Sequence, residues 1–300
     1  MTSFNSIFRP GLFEDQVVFI TGGGTGIGRC TAHELAALGA TVVIGGRRVE
    51  KLEATRDEIE SDGGICDFVH IDIRDEASVD AAVAEIVQRH GRIHGLFNNA
   101  GGQFAAPAES LSANAWRSVV DLNLNGTFHV TLAVQRHSMA LHGGAVVSML
   151  ADIWTGFVMM AHSSAARAGI ENLTRTLALE WAQYGIRLNC VAPGTILSSG
   201  MLTYPEDVQR TVAKAAGTVP MARFGTESEV SAAVAFLLSP AAAFITGACL
   251  KVDGGAALET GRLMRVCAET PAPAWNGFSR ALDVSGTPFE EVNDARERQR

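Results

Sequence analysis

Three observations in this sequence predict an α/β fold, a doubly wound parallel sheet with helices on both faces. Short apolar, β-branched runs alternate with segments of helical periodicity from the start of the chain to residue 252. A glycine cluster separates the first run from the first periodic segment, at the place where such folds turn from strand to helix. Finally, 300 residues of which 47% are apolar suffice for one continuous core, which excludes disorder for most of the chain.

Residues 16–21 read as a strand, Gly22 to Gly28 as a tight loop, and 29–38 as a helix stopped by Gly39. The cycle then repeats, with strands at 40–45, 65–71 and 93–98 and helices at 49–61 and 77–90. Alternation at this pace requires parallel strands joined by helical crossovers. Downstream, 115–141 reads as one long helix, 145–150 as a strand, 163–184 as a second long helix and 186–191 as a strand. Residues 227–238 read as a helix and 248–252 as a final strand. The sequence thus predicts an arm at 1–13, one domain at 14–260 with an irregular substrate loop at about 195–226, and an extended or poorly ordered tail at 261–300.

Charge and composition narrow the function. Asp and Glu number 32 against 24 Lys and Arg, so no basic footprint for nucleic acid stands out. No apolar run reaches the roughly 18 residues that cross a bilayer. The N-terminus lacks the pattern of a secretory signal. Cys30, Cys66, Cys190, Cys249 and Cys267 are scattered, with no metal-ligand spacing. Reduced thiols, no metal and a cytoplasmic location are the expectation.

The glycine cluster points to a dinucleotide. Gly22, Gly26 and Gly28, with Thr25 and Ile27 between them, let the backbone approach a pyrophosphate that the following helix attracts with its positive end. The second strand ends Ile44-Gly-Gly-Arg-Arg48, without the acid that would accept a ribose 2′-hydroxyl. Arg47 and Arg48 carry the fork geometry suited to a 2′-phosphate, so the expected cofactor is NADP(H).

Five segments together, Thr21-Gly-Gly-Gly-Thr-Gly-Ile-Gly28, Asp72-Ile73, Asn98-Asn-Ala-Gly101, Asn123 within Asp-Leu-Asn-Leu-Asn-Gly-Thr-Phe128, and Pro193-Gly194, resemble the short-chain dehydrogenase/reductase family over about residues 14–258. The resemblance implies a seven-stranded Rossmann domain, adenine contacts at Asp72 and Ile73, and nicotinamide-ribose contacts at Asn99, Ala100 and Gly101. It further implies an active-site role for Asn123, carboxamide contacts from Pro193 and Gly194 to Ile196, and a homodimer or homotetramer built on the two long helices and the final strand.

In that family a Tyr-x-x-x-Lys pair protonates the substrate oxygen. Here the Tyr position holds Ser163 and the Lys position Arg167, and the usual Ser falls near Leu150 or Ala151. The chain has two tyrosines, Tyr184 and Tyr204, and neither has Lys four residues on. A serine hydroxyl is a far weaker acid than a phenol, and Arg167 keeps its proton. Carbonyl chemistry through Tyr is therefore excluded at this level.

Hydride addition to the β-carbon of an enoyl thioester needs hydrogen-bond donors for the enolate oxygen more than full proton transfer. The segments Asn98-Asn-Ala-Gly-Gly-Gln-Phe104 and Ala161-His-Ser-Ser-Ala-Ala-Arg-Ala-Gly169 are similar to those of peroxisomal trans-2-enoyl-CoA and 2,4-dienoyl-CoA reductases. The resemblance implies NADPH-dependent reduction of an acyl-CoA double bond. The alternatives are oxidation of acyclic terpenoid alcohols and aldehydes of the citronellol type, and a catalytically silent NADP sensor.

Ser163 and Arg167, one helical turn apart, should face one spot on the cofactor and the oxyanion. Asp152 and His162 are the candidate proton donors. Gln103, Phe104, Trp154, Phe157 and Met201 are the candidate contacts to the acyl chain or hydrophobic enal. Arg136, His137, Arg223 and Arg262 are the cations available for CoA phosphates.

Overall fold

In the computed structural model, residues 4–258, 268 and 270–290 are described. Nine strands occur among them: β1 Val17–Thr21, β2 Thr41–Gly46, β3 Ile65–His70, β4 Gly95–Asn98, β5 Gly144–Met149, β6 Ile186–Pro193, β7 Ile196–Leu197, β8 Gly225–Thr226 and β9 Cys249–Val252. Seven form one parallel sheet in the order β3-β2-β1-β4-β5-β6-β9, the doubly wound arrangement expected. The order reverses between β1 and β4, and a doubly wound sheet binds ligands at that switch point, beyond the strands' carboxyl ends. Thr21 and Asn98 are paired there in register.

Helices α1 Gly26–Ala37, α2 Val49–Ser61 and α3 Glu76–His90 make the first crossovers. All five residues of β1 are buried, because helices cover both faces of a parallel sheet. One core layer packs Ile20, Ile44 and Val147 against Leu35 and Val234, and the other packs Phe19, Val43 and Val146 against Val83 and Val130. Complete burial of such a side chain contributes about 1.5–3 kcal/mol. Helix α1 begins earlier than periodicity suggests, at Gly26, since Thr25 has the extended backbone of an N-cap and the loop glycines Gly26 and Gly28 form the first turn.

The long helix predicted at 115–141 is a rod of three α-helical pieces, α4 Ala113–Val120, α5 Gly126–Val134 and α6 Ala140–His142, joined by π-helical turns at 121–125 and 135–139. The Ser112 hydroxyl caps its start by accepting from the Ala115 amide. The first π turn contains Asn123, whose side chain donates to the Val119 carbonyl that the widened turn leaves open. Helix α7 Ala161–Glu180 is the second long helix, and a short 3₁₀ turn extends it to Tyr184.

Two expectations need correction. The stretch 193–227 is not irregular: it holds the two-stranded ribbon of β7 and β8 and a helix, α8 Glu206–Lys214, with Glu206 and Asp207 in its first turn and Lys214 in its last. Helix α9 Glu227–Leu238 follows, with a capping box between Thr226 and Glu229.

The second concerns the tail, where the poorly ordered alternative gives way to the extended one: residues 270–290 form an extended strap packed on the domain. Trp275 donates its amide to Glu229, its carbonyl accepts from Thr226, and Arg223 binds the carbonyls of Ala272 and Pro273. Phe278 stacks on Phe4 of the N-terminal segment, and Phe13 of that segment is buried in the main core. Val284 and Phe289 pack on Leu197, Phe224, Met201 and Leu202. Residues 259–267, where Arg262 and Cys267 fall, lie outside this description apart from their sequence. No helix among the described residues is long and apolar enough to cross a membrane, and no cluster of possible metal ligands occurs among them. Cys30, Cys66, Cys190 and Cys249 are free, and burial pushes the last three thiols up to about 12.

Candidate active site

A cavity of about 330 Å³ opens beyond the ends of β1, β2 and β4. Of the residues expected to hold the dinucleotide, Gly22, Thr25, Arg47, Arg48, Asp72, Ile73, Asn99, Ala100 and Gly101 line it. Gly26, Ile27, Gly28, Arg167, Pro193, Gly194 and Ile196 do not line this cavity; Ile196 instead pairs with Gly225 in the small ribbon.

The glycines are dictated by close approach. A Cβ at Gly22, whose φ is +68°, would lie 2.9 Å from the Asn99 amide nitrogen, and one at Gly28 would lie 2.4 Å from the same atom. Asn99 occupies this gap by donating to the carbonyls of Thr21 and Gly22. The Thr21 hydroxyl accepts from the amides of Asn99 and Ala100, tying the end of β1 to the end of β4. No side chain caps α1 and no acid sits in its first turn, so its leading amides are left for an anion.

Three cations mark the far end. Arg47 and Arg48 are exposed at the cavity edge, and Lys51 joins them one turn into α2. Among the described residues, none of these three side chains makes a hydrogen bond or ion pair with protein. Sequence reading missed Lys51, although its spacing of three and four from Arg48 and Arg47 on a helix was a usable signal. Asp72 is gripped by Arg74 through Nε at 2.9 Å, and this hydrogen bonding holds its carboxyl down at about 2. Near the phosphate loop the buried Glu227 carboxyl is pushed up to about 7 by desolvation, which reduces its negative charge beside an incoming phosphate.

The opposite end holds the residues expected to take part in the reaction. Asn123 is fully buried; its amide donates to the Gly102 carbonyl at 2.8 Å and its Oδ1 accepts from the Gly102 amide at 3.1 Å. A Cβ at Gly101 would meet Asn123 Oδ1 at 2.5 Å and Arg167 Nη2 at 2.7 Å, so both side chains converge on this backbone. Arg167 is anchored by Nη1 to the Met149 carbonyl, and its buried Nε has no partner among the described residues. Burial lowers the guanidinium to about 10, which leaves it a cation at neutral pH.

Ser163 is fully buried and donates its hydroxyl to Gln103 Oε1 at 2.6 Å. Gln103 in turn donates through Nε2 to the Tyr204 hydroxyl oxygen at 3.3 Å. Tyr204, which has no lysine four residues on and is not among the expected site residues, enters this network from the 195–226 segment. No local signal could have found it, since the whole of β6 and most of α7 separate it from Ser163 in sequence.

The remaining candidates divide. His162 is fully buried, stacks edge-on to Phe104 at 4.7 Å, and accepts the Ser163 amide at Nδ1. Its proton therefore sits on Nε2, which has no partner among the described residues. Asp152 accepts weakly from the Trp154 amide in a turn. Trp154 lies under the Lys251 ammonium at 3.9 Å, and Phe157 is half-buried in the same loop. Met201 is half-buried and packs against the small core under the strap. Of the cations named for CoA, two are already paired: Arg223 is bound to Glu229 at 2.6 Å and His137 to Asp80 at 2.7 Å.

Comparison with known proteins agrees with this geometry. Residues 22–257 match the sequence profile described as enoyl-(acyl carrier protein) reductase. A probable 2,4-dienoyl-CoA reductase of Bacillus subtilis is 40% identical over 245 residues, covering 81% of this chain and 96% of that one. The peroxisomal 2,4-dienoyl-CoA reductase of Danio rerio is 36% identical over 258 residues, covering 85% and 86%. Among solved structures, the citronellol catabolism dehydrogenase AtuB of Pseudomonas aeruginosa superimposes with a TM-score of 0.77 at 50% identity, covering 85% of this chain and all of that one. An actinorhodin polyketide ketoreductase solved with NADPH superimposes at 0.76 with 31% identity, covering 81% and 97%. The sheet order, the glycine loop at the switch point and these matches agree: the chain belongs to the short-chain dehydrogenase/reductase family, and it is an oxidoreductase of that family.

Proposed function

We propose that the protein reduces the α,β double bond of an enoyl-CoA or similar enoyl substrate with NADPH. The observation that carries the reading is the pair Ser163 and Arg167 where the family keeps Tyr and Lys. The Ser163 proton is committed to Gln103, and Arg167 is a buried cation fixed to a carbonyl. Neither can pass a proton to a carbonyl oxygen, while the fixed cation of Arg167 suits charge stabilisation.

Gly22, the leading amides of α1 and the Arg47, Arg48 and Lys51 cluster would hold the pyrophosphate and 2′-phosphate; Asp72 and Ile73 would border the adenine, and Asn99 to Gly101 the nicotinamide ribose. The bound nicotinamide supplies the hydride. Asn123 fixes the Gly101–Gly102 backbone, and Arg167 sets a positive charge beside it. The enolate oxygen is stabilised by donors at this end, and the α-carbon proton comes from solvent or from Asp152 in the half-exposed loop. The dienoyl-CoA reductases resembling this chain are named for conjugated acyl-CoA thioesters and enoyl-CoA products, which supports a substrate of that class.

The 50% identity to the citronellol dehydrogenase favours a second reading, oxidation of a branched terpenoid alcohol or aldehyde. Purified protein assayed with NADPH against trans-2-enoyl-CoAs of several lengths, and with NADP⁺ against citronellol, separates the two. The first reading expects turnover of the thioesters. Citronellol oxidation with inert thioesters would replace it, and tight NADPH binding with no turnover would leave a cofactor-binding sensor.

A further inference from the structure

Direction of hydrogen bonding singles out one group. In the chain Ser163 to Gln103 to Tyr204, the serine hydroxyl donates to Oε1 and the amide nitrogen donates to the phenol oxygen. Ser163 has one hydroxyl proton, and it is spent on Gln103. The phenol receives a bond on its oxygen, so its own proton is uncommitted among the described residues. Tyr204 is half-buried where the substrate loop meets the Gln103 segment. Its backbone is held as well, since the Tyr204 carbonyl accepts from Gln209 of α8 at 2.7 Å.

The loop is braced from behind. Leu197, Met201 and Leu202 on one side of Tyr204 and Val212 beyond it pack against Val284 and Phe289 of the strap. The phenol therefore stands on a platform with a buried core of its own.

We propose that Tyr204, delivered by the substrate loop and oriented by Gln103, is the hydrogen-bond donor to the substrate oxygen that becomes an enolate or alkoxide. It is a donor to developing charge and not the family's acid: the contact to its hydroxyl among the described residues is a neutral amide, with no cation bonded to it to favour a phenolate. For an enolate, no proton need leave it. The hydride adds to the β-carbon, electrons move to the thioester oxygen facing Tyr204, and the α-carbon then takes its proton from solvent as the carbonyl re-forms.

The proposal rests on the reading of the reaction above, and the test separates the two. Tyr204→Phe should fold, bind NADPH within twofold of the native protein, and lose roughly 10²–10³ in kcat on the enoyl thioester, the loss expected for one oxyanion donor. In a second preparation 3-fluorotyrosine replaces tyrosine, and the ¹⁹F resonance assigned through the Tyr184→Phe variant reports on Tyr204. That resonance should shift when a saturated acyl-CoA joins the NADP⁺ complex and stay put with NADP⁺ alone. A Tyr204→Phe rate within threefold of native, or a fluorine signal indifferent to the thioester, overturns the role. If the native protein oxidises citronellol and ignores thioesters, the reaction assignment fails, and the same Tyr204→Phe comparison on the alcohol still decides the role of Tyr204.

Discussion

The end of this molecule expected to hold the cofactor and the end proposed for the substrate are built by different means. The first rests on consecutive strands and helices whose side chains are fully buried, from Phe19 and Ile20 of β1 to Phe97 of β4, and its loop is fixed by bonds between neighbouring strand ends. The second gathers pieces distant in sequence: Gln103, Ser163 and Tyr204 are joined by hydrogen bonds, and α8 and the strap residues Val284 and Phe289 share a small core of their own. A short-range architecture fixes the shared chemistry of dinucleotide binding.

The largest test of this division is Phe289→Ala. The ring is fully buried and meets Phe224 edge-on at 6.3 Å, so its loss should cost about 3–5 kcal/mol in the small core. Hydrogen exchange should show protection lost in residues 197–214 and retained in β1, β2 and β4. Equal loss in both halves would show that the strap belongs to the main core.

A somewhat smaller effect probes the end expected to hold the cofactor. Glu34 is buried in α1, accepting from Ser231 and from Ser6 at 2.8 Å, and desolvation pushes its carboxyl from 4.5 up to about 7. The folded state keeps this proton where the unfolded chain releases it. Its contribution is therefore full below about pH 4.5 and is lost as pH rises towards 7, by about 3 kcal/mol. His33, lowered to about 4 by burial, acts in the opposite sense between 4 and 6.5, so the informative quantity is the difference between native and Glu34→Gln. Chemical denaturation at pH 5 and pH 8 should show a clearly smaller decline for Glu34→Gln. An unchanged decline would remove Glu34 as its source.

Smaller again is cofactor choice. Replacing Arg47 and Arg48 together by Ala should weaken NADPH by about 1.5–3 kcal/mol, ten- to a hundredfold, while NADH binding stays within threefold. A parallel loss for NADH would mean that these arginines shape the loop and do not read the 2′-phosphate.

How much of this could be read from residues alone follows the same division. Strand-helix alternation, the glycine loop and the arginines after β2 are local patterns, and the sheet and cavity lining repeat them in space. Asn123 was legible as a motif, but its π turn was not, because a one-residue widening leaves no trace in hydrophobic periodicity. The helix α8 had its signals in Pro205, Glu206, Asp207 and Lys214, obscured by the small polar residues around it. The surroundings of Tyr204 and Met201 were not legible for one reason: their neighbours lie far from them along the chain. Gln103, which orients Tyr204, precedes α4, and Val284 and Phe289, which cover Met201, follow β9, so no window along the sequence contains both partners.

A branched α,β-unsaturated aldehyde offers both reactive positions in one molecule, so it tests the central claim most directly. The measurement is the position of deuterium, by NMR of the product, after reaction with NADPH deuterated at the transferable hydrogen of C4. The account predicts label on the β-carbon of a saturated aldehyde. Label on the carbonyl carbon, giving an allylic alcohol with its double bond intact, would contradict it.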